Sequence, residues 1–280
     1  MLHIQFHLFA HVLRQEWVIF KNLALDLPSD QATFFNFLAS HDGIGVTPVR
    51  DILTQEEIDA AVERTHQLGG NVAYKSNGDG TQSPYELNIN YLDALGDPEA
   101  PLNEPGLISK RFFAAQAIML ALRGVPGIYF HSLVGSQNWE EGVAQSGRYR
   151  AINRQKLSLE ILDAELARSN SLRQLIYQGM YHLLNVRQAH PAFHPFGSQK
   201  VLTLHPAIFG LIRTSLDEQE NLLCLHNISG EEVRLTLDLN LLPLKKNHSL
   251  FDIVGARSHP VKDGMLEISL SPYDTMWLRV

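Results

Sequence analysis

The sequence predicts an α/β region followed by an all-β domain. Three observations carry that expectation. Two short apolar runs, residues 33–38 and 124–131, each lead into a polar loop and then into a helical pattern. Residues 171–188 place Leu172, Leu175, Ile176, Met180, Leu183 and Leu184 on one helical face. Past Pro195 the chain changes to short alternating runs separated by turn residues. With 280 residues, 45% of them apolar, it can bury a sizeable core in one large domain or two smaller ones.

Taken in order, the first segment carries Leu2, Ile4, Phe6, Leu8, Phe9, Val12 and Leu13. A buried helix is one reading, although periodicity alone does not settle its type. His3, His7 and His11 would align on one helix face, but no carboxylate or Cys completes a zinc set. They read as surface or cleft histidines, and no metal is expected. Leu27-Pro28-Ser29-Asp30 is a turn. Residues 33–38 are aromatic and β-branched and read as a buried strand ending in Ser40-His41-Asp42-Gly43-Ile44-Gly45. Polar residues at a strand's C-terminal end are where α/β folds place chemistry.

Thr54-Gln55-Glu56-Glu57 is a capping box, and Gly69-Gly70 stops the helix it opens. Residues 71–105 are polar and rich in Gly, Pro, Asn and Asp, and are expected to form a long mobile loop. Residues 112–122 read as a buried helix and 124–131 as a second short buried strand, followed by a polar loop over 136–153. Helices are expected over 158–168 and 171–188. Alternating runs at 201–204, 208–213, 221–225, 233–237, 266–270 and 276–280 then predict an autonomous antiparallel domain of sandwich type.

The formal charge of −7, from 30 acidic and 23 basic residues, argues against a nucleic-acid partner. Small phosphorylated ligands, which need only one or two arginines, stay open. The single cysteine, Cys224, cannot form an internal disulfide and reads as a packed, inert thiol. The sequons at Asn227 and Asn247 lack a secretory signal, and no uncharged apolar stretch is long enough to span a bilayer. A cytoplasmic protein with no membrane partner is expected.

The residues sharpen into a resemblance. Phe37-Leu38-Ala39-Ser40-His41-Asp42 resembles the last conserved motif of the α-amylase superfamily, with Ser40 where that motif has Asn. Gly124-Val125-Pro126-Gly127-Ile128-Tyr129-Phe130 resembles the eighth barrel strand of that superfamily. Ser83-Pro84-Tyr85-Glu86-Leu87-Asn88 and Arg148-Tyr149-Arg150-Ala151-Ile152-Asn153-Arg154 are similar to loops of the sucrose phosphorylase branch, whose members act on sucrose, sucrose 6-phosphate or glucosylglycerate. The match runs from about Thr33 to the end. It implies the C-terminal part, about two βα units, of a (β/α)8 TIM barrel over residues 1–198, with loop 71–105 over the site. An antiparallel β-sandwich-type domain over 199–280 would follow.

By that resemblance Asp42 is the carboxylate that grips two glucose hydroxyls and stabilises the transition state, and His41 hydrogen-bonds the same sugar. Arg154 would hold the glucose from the opposite side. Tyr85 and Glu86 would sit on the loop that exchanges the acceptor sugar for phosphate. Read as residues alone, Asp42 and His41 could cap a loop, Arg154 could be a structural ion-pair partner, and Arg148 and Arg150 read as solvated loop charges, with contact to phosphate as the alternative. The chemistry fits the residue types, because a retaining glucosyl transfer strengthens hydrogen bonds to the 2-OH in its oxocarbenium-like transition state.

No cofactor is implied, only inorganic phosphate as co-substrate. The resemblance also implies a nucleophile and an acid/base on earlier strands, about 5–5.5 Å apart. Upstream of Thr33 the acidic residues are Glu16, Asp26 and Asp30, and none fits either role. The chain is therefore expected to be a fragment, inactive alone, whose partner is the missing N-terminal half or a second copy. A fragment of an α-amylase-type hydrolase or transglucosidase, and a non-catalytic sugar-binding remnant, are the alternatives.

Overall fold

The computed structural model of the protein describes residues 31–50, 52–99, 105–244 and 248–280. The expectations for the segment 2–13, for His3, His7 and His11, and for the turn 27–30 fall outside the described residues, as does Asn247.

Strand β1 (Phe35–Phe37) forms where the aromatic run predicts it. Strand β2 (Ile44–Gly45) follows the polar loop and pairs not with β1 but with a hairpin downstream. The capping box at Thr54 forms, the Glu57 carboxylate accepting the Thr54 N–H at 2.7 Å, and opens helix α1 (Gln55–Gln67).

Residues 71–105 correct the sequence reading. They hold strands β3 (Asn71–Ser76) and β4 (Gln82–Asn88) and a helical turn at Tyr91–Ala94, and the next helix begins at Pro105. The β3–β4 turn is built from the residues that suggested a loop. Asp79 Oδ1 accepts from Thr81 N at 3.0 Å, Asn77 Nδ2 donates to Thr81 Oγ1 at 2.9 Å, and Gly80 takes φ +84°. A hairpin buried on one face is half polar, so composition alone reads as loop. Val72, Leu87 and Ile89 supply the buried side.

Helix α2 (Pro105–Ala121) starts seven residues earlier than the apolar run suggested, with Pro105 at its first position. It leads into strand β5 (Val125–Gly127), which pairs in parallel with β1, Phe35 opposite Val125. The expected strand over 124–131 is thus three residues long, and Phe130–Leu133 turns helical. It is also not buried: Val125 is 42% and Phe35 55% exposed, because among the described residues β1 and β5 have only each other as sheet partners. Helices α3 (Leu159–Ala167) and α4 (Leu172–Ala189) form where helices were expected, α4 with the predicted apolar periodicity. Helix α4 packs on α2, where Phe113 lies so close over Gly179 that a Cβ there would meet its ring at 2.2 Å.

The remainder is one antiparallel sheet of eight strands. They are β6 (Ser198–His205), β7 (Ile208–Thr214), β8 (Asn221–Asn227), β9 (Val233–Asp238), β10 (Ser249–Asp252), β11 (Arg257–Lys262), β12 (Met265–Leu270) and β13 (Thr275–Arg279). Strands β10 and β11 escaped the sequence reading: β10 is four residues long with a buried Asp252, and β11 is largely exposed and carries Pro260.

The central strands are buried on both faces, and the pleat sorts their side chains. Ile208, Ile212, Leu223, Leu225, Met276 and Leu278 meet Val233, Leu235, Leu266 and Ile268 inside the curled sheet. Phe209, Leu211, Leu222, Cys224 and Trp277 point the other way and share one apolar cluster with Phe112 and Ile118 of α2 and Ile176 and Met180 of α4. The expected autonomy of the β-domain meets this continuous core. Arg213, fully buried, ties the layers further by donating to Ala121 O at the C-terminal end of α2 (2.8 Å) and to His194 O (2.7 Å). Burial in the shared cluster raises the Cys224 thiol pKa.

Candidate functional site

The loop after β1 brings Asp42 to a junction of three segments: itself, strand β4, and the segment after β5, which holds a short helix at Glu140–Ser146 where a polar loop was expected and ends in a 3₁₀ turn at Tyr149–Asn153. The backbone is pinned first. Asp42 N donates to Ser40 Oγ at 3.1 Å, so Ser40 holds the loop. Asn153 Nδ2 donates to Asp42 O at 3.2 Å and to Ile89 O at 3.1 Å, stitching all three segments. Tyr129 Oη donates to Asn153 O at 2.7 Å.

The side chains then converge on one carboxylate oxygen. Arg154 Nη2 lies 2.9 Å and Arg150 Nη1 3.2 Å from Asp42 Oδ1, with His41 Nε2 at 3.6 Å. Asp42 Oδ2 has no hydrogen-bond donor among the described residues, and the side chain is 36% exposed. The carboxylate is therefore half committed to the protein and half available to a ligand. Arg154, expected across the sugar from Asp42, sits in contact with it and also donates its Nε to His41 O at 2.9 Å.

Tyr85 and Glu86 part company, because adjacent residues on a strand face opposite sides. Tyr85 points outward at 43% exposure. Glu86 turns inward and is buried, accepting from Gly43 N at 2.8 Å, from Asn88 Nδ2 at 2.5 Å and from Arg150 at both oxygens. Its expected place on a mobile exchange loop is corrected: Glu86 is a fixed anchor. That contact holds the Arg150 guanidinium pKa above its ordinary value. Gly43 makes the anchor possible, since a Cβ there would lie 2.3 Å from Leu87 O and 2.9 Å from Glu86 Cγ.

Arg150 is the residue sequence reasoning missed. Read as a solvated charge, it bridges Glu86 and Asp42. Its signal was slight: an arginine four residues before Arg154, on a loop otherwise matched by pattern. Beside this network opens a cleft of about 810 Å³ whose walls include Tyr85, Glu86, Arg148, Arg150, Arg154 and Lys156. Among the described residues no helix is long and apolar enough to cross a membrane, and no three of His, Cys, Asp and Glu cluster as a metal site.

No family model matches the chain. It is similar to the glucosylglycerate phosphorylase of Spirochaeta thermophila, 43% identical over 258 residues, which is 91% of this chain and 43% of that protein. It is likewise similar to the glucosylglycerate phosphorylase of Escherichia coli, 37% identical over 91% of this chain and 43% of that protein. The sucrose phosphorylase of Streptococcus mutans is 29% identical over 65% of this chain and 35% of that protein. The chain thus spans less than half the length of these relatives. In fold it is similar to the crystal structure of a sucrose 6F-phosphate phosphorylase from Thermoanaerobacter thermosaccharolyticum, with TM-score 0.66 and 19% identity over 80% of this chain and 41% of that one.

Proposed function

We infer the function from one premise: the chain belongs to the sucrose-phosphorylase-like branch of the α-amylase superfamily. We propose that it supplies the sugar-gripping side of an active site that moves an α-glucosyl group from a glucoside to inorganic phosphate, giving α-glucose 1-phosphate. The observation that carries this reading is the state of Asp42, with Oδ1 held by Arg154 and Arg150 and Oδ2 open beside a cleft.

In a retaining transfer one carboxylate attacks the anomeric carbon while an acid protonates the departing glycosidic oxygen. Phosphate oxygen then displaces the carboxylate and restores the configuration. Positive charge develops on the sugar ring in each step. A fixed carboxylate beside the ring stabilises that charge, and its hydrogen bonds to ring hydroxyls tighten as the charge grows. Asp42 is suited to this because Arg154 and Arg150 fix its orientation before the sugar arrives. His41 and the outward Tyr85 would flank the sugar and the exchanging acceptor. Glu86 would position Arg150 rather than touch substrate.

Nucleophile and acid/base have no candidate in this sequence, so we propose that they come from further polypeptide corresponding to the unmatched part of the relatives. Two parallel strands that have only each other as sheet partners among the described residues fit a barrel that such polypeptide completes. Glucosylglycerate is the favoured donor, because the relatives of that name are 37% and 43% identical while the sucrose phosphorylase is 29%.

The test is glucose 1-phosphate release from glucosylglycerate, and from sucrose, with phosphate present. The chain is assayed alone and mixed with the N-terminal half of the Spirochaeta thermophila relative. Turnover only in the mixture is expected. Release of free glucose instead would identify a hydrolase. Turnover by the chain alone would place the nucleophile within it. Sugar binding without turnover in any mixture would favour a non-catalytic role.

A further inference from the structure

Asp93, in the helical turn Tyr91–Ala94, is a buried carboxylate outside the network around Asp42. The donors that meet it are neutral amides. Gln137 Nε2 donates to its Oδ1 at 3.0 Å, and the Asn138 N–H donates to its Oδ2. No cation pairs with it among the described residues, and burial, with the charge of Glu140 adding, pushes its pKa up to about 6. A buried charge without a counter-charge is costly, so packing alone would favour an apolar side chain there. What Asp93 supplies instead is two acceptors at the entry of the segment that carries Arg150 and Arg154.

Those two bonds begin a chain of contacts that ends at the arginines. Asn138 is held from both sides, its Oδ1 accepting from Asn90 N at 2.8 Å and its Nδ2 donating to Leu68 O at 3.0 Å. The next residue, Trp139, donates its N–H to Ile152 O at 3.1 Å, which ties the entry of the segment to its exit. Beside Ile152, Asn153 reaches Asp42 O and Ile89 O, and Arg154 follows it. The loop between Asn138 and Asn153 thus stands on Asn90 and Asp93 at one foot and on Ile89 at the other. We propose that Asp93 is a positioning residue: by fixing the entry of residues 137–154 it sets where Arg150 and Arg154 meet Asp42. It acts through the loop and not on a substrate. This rests on the reading of Asp42 as the glucose grip and deepens it. Misplacing such a group by about 1 Å can lower a rate by roughly 100-fold.

The test follows the full chain by NMR hydrogen exchange, reading the Trp139 amide and the Arg154 Nε–H that donates to His41 O. The Arg187 Nε–H, bonded to Leu120 O away from the loop, is the control. Asp93→Leu should speed exchange at Trp139 and Arg154 by roughly tenfold or more and leave Arg187 unchanged. Asp93→Asn should restore slow exchange, because its oxygen still accepts from Asn138 N and Gln137 can turn its own amide oxygen toward the new NH₂. Should Asp93→Leu fail to fold, Gln137→Met at the exposed end of the same knot decides, with faster exchange at Trp139 and Arg154 expected. Mixed with the N-terminal half of the Spirochaeta thermophila relative, Asp93→Leu should release glucose 1-phosphate roughly 10- to 100-fold more slowly, and Asp93→Asn near the unmodified rate. Unchanged exchange at Arg154 in Asp93→Leu or in its substitute Gln137→Met overturns the proposal, as does failure of Asp93→Asn to rescue. Undiminished turnover despite a loosened loop overturns it too. Asp42→Asn in the same mixture separates the two ideas: if turnover survives that change, or is absent throughout, the glucose grip loses its support, while exchange at Arg154 still decides the role of Asp93.

Discussion

Arg150 holds Glu86 by both carboxylate oxygens, its Nε 3.1 Å from each, while its Nη1 reaches Asp42 at 3.2 Å. One guanidinium thereby couples the β3–β4 hairpin to the loop after β1. Replacing Glu86 by Ala leaves the Gly43 N–H and the Asn88 amide without their acceptor. Each lost buried bond costs about 1–3 kcal/mol. Urea unfolding should show a loss of that order, and a double-mutant cycle with Arg150→Met should give a coupling above zero. Unchanged stability in Glu86→Ala would mean the anchor is dispensable.

Gly43→Ala tests the same junction sterically. The new methyl would lie 2.3 Å from Leu87 O, which is backbone and has little room to yield. The β2–β4 pairing should loosen at a cost of about 1–3 kcal/mol, the range for overpacking. Increased amide exchange at Ile44 and Leu87, partners in that ladder, is the local readout.

Acid should destabilise the fold through His226. Its Nε2 accepts from Trp277 Nε1 at 3.1 Å, and its Nδ1 lies 3.1 Å from Phe209 O. Burial pushes its pKa from 6.5 down to about 4. The unfolded chain therefore binds a proton first. The stabilisation is whole above about pH 6.5 and falls as pH drops toward 4, by roughly 3 kcal/mol for full protonation. Chemical denaturation at pH 7.5 and pH 5 should show the loss, and His226→Gln, which keeps a donor and an acceptor, should flatten it. An equally steep profile in that variant would assign the effect to other groups.

The β-domain should not survive excision intact. Freed at residue 198, it would expose Phe209, Leu222 and Trp277, each at most 2% exposed in the chain. In the link before it Ala192 and Phe193 are buried, at 0% and 1% exposure, between exposed Pro191 and His194. Limited proteolysis is expected to spare residues 190–198, and a 198–280 fragment should bind a hydrophobic dye. Early cleavage there with release of a stable piece would restore the autonomous domain.

In the complemented enzyme, Asp42→Asn should keep the fold and lower turnover by roughly 10²–10³, the usual cost of losing one transition-state contact. Asparagine has the same shape but no charge to offset the glucosyl cation. Retention of most activity would remove Asp42 from the mechanism.

Local patterns fixed much of this in advance. Periodicity located α4 and the inner strands of the β-domain, and the capping box marked the start of α1, because each signal lies within a few residues. The motif around His41 and Asp42 was legible for the same reason. What sequence could not decide is where side chains meet across long separations. Arg150 and Glu86 are 64 residues apart, and only the folded chain turns Glu86 inward, Tyr85 outward and Arg150 between two carboxylates. The hairpin over residues 71–88 hid in a polar composition because one face alone is buried. The shared core between helices and sheet stayed hidden as well: Leu222 and Leu223 look alike in sequence, and the pleat sends one toward α2 and α4 and the other into the curled sheet.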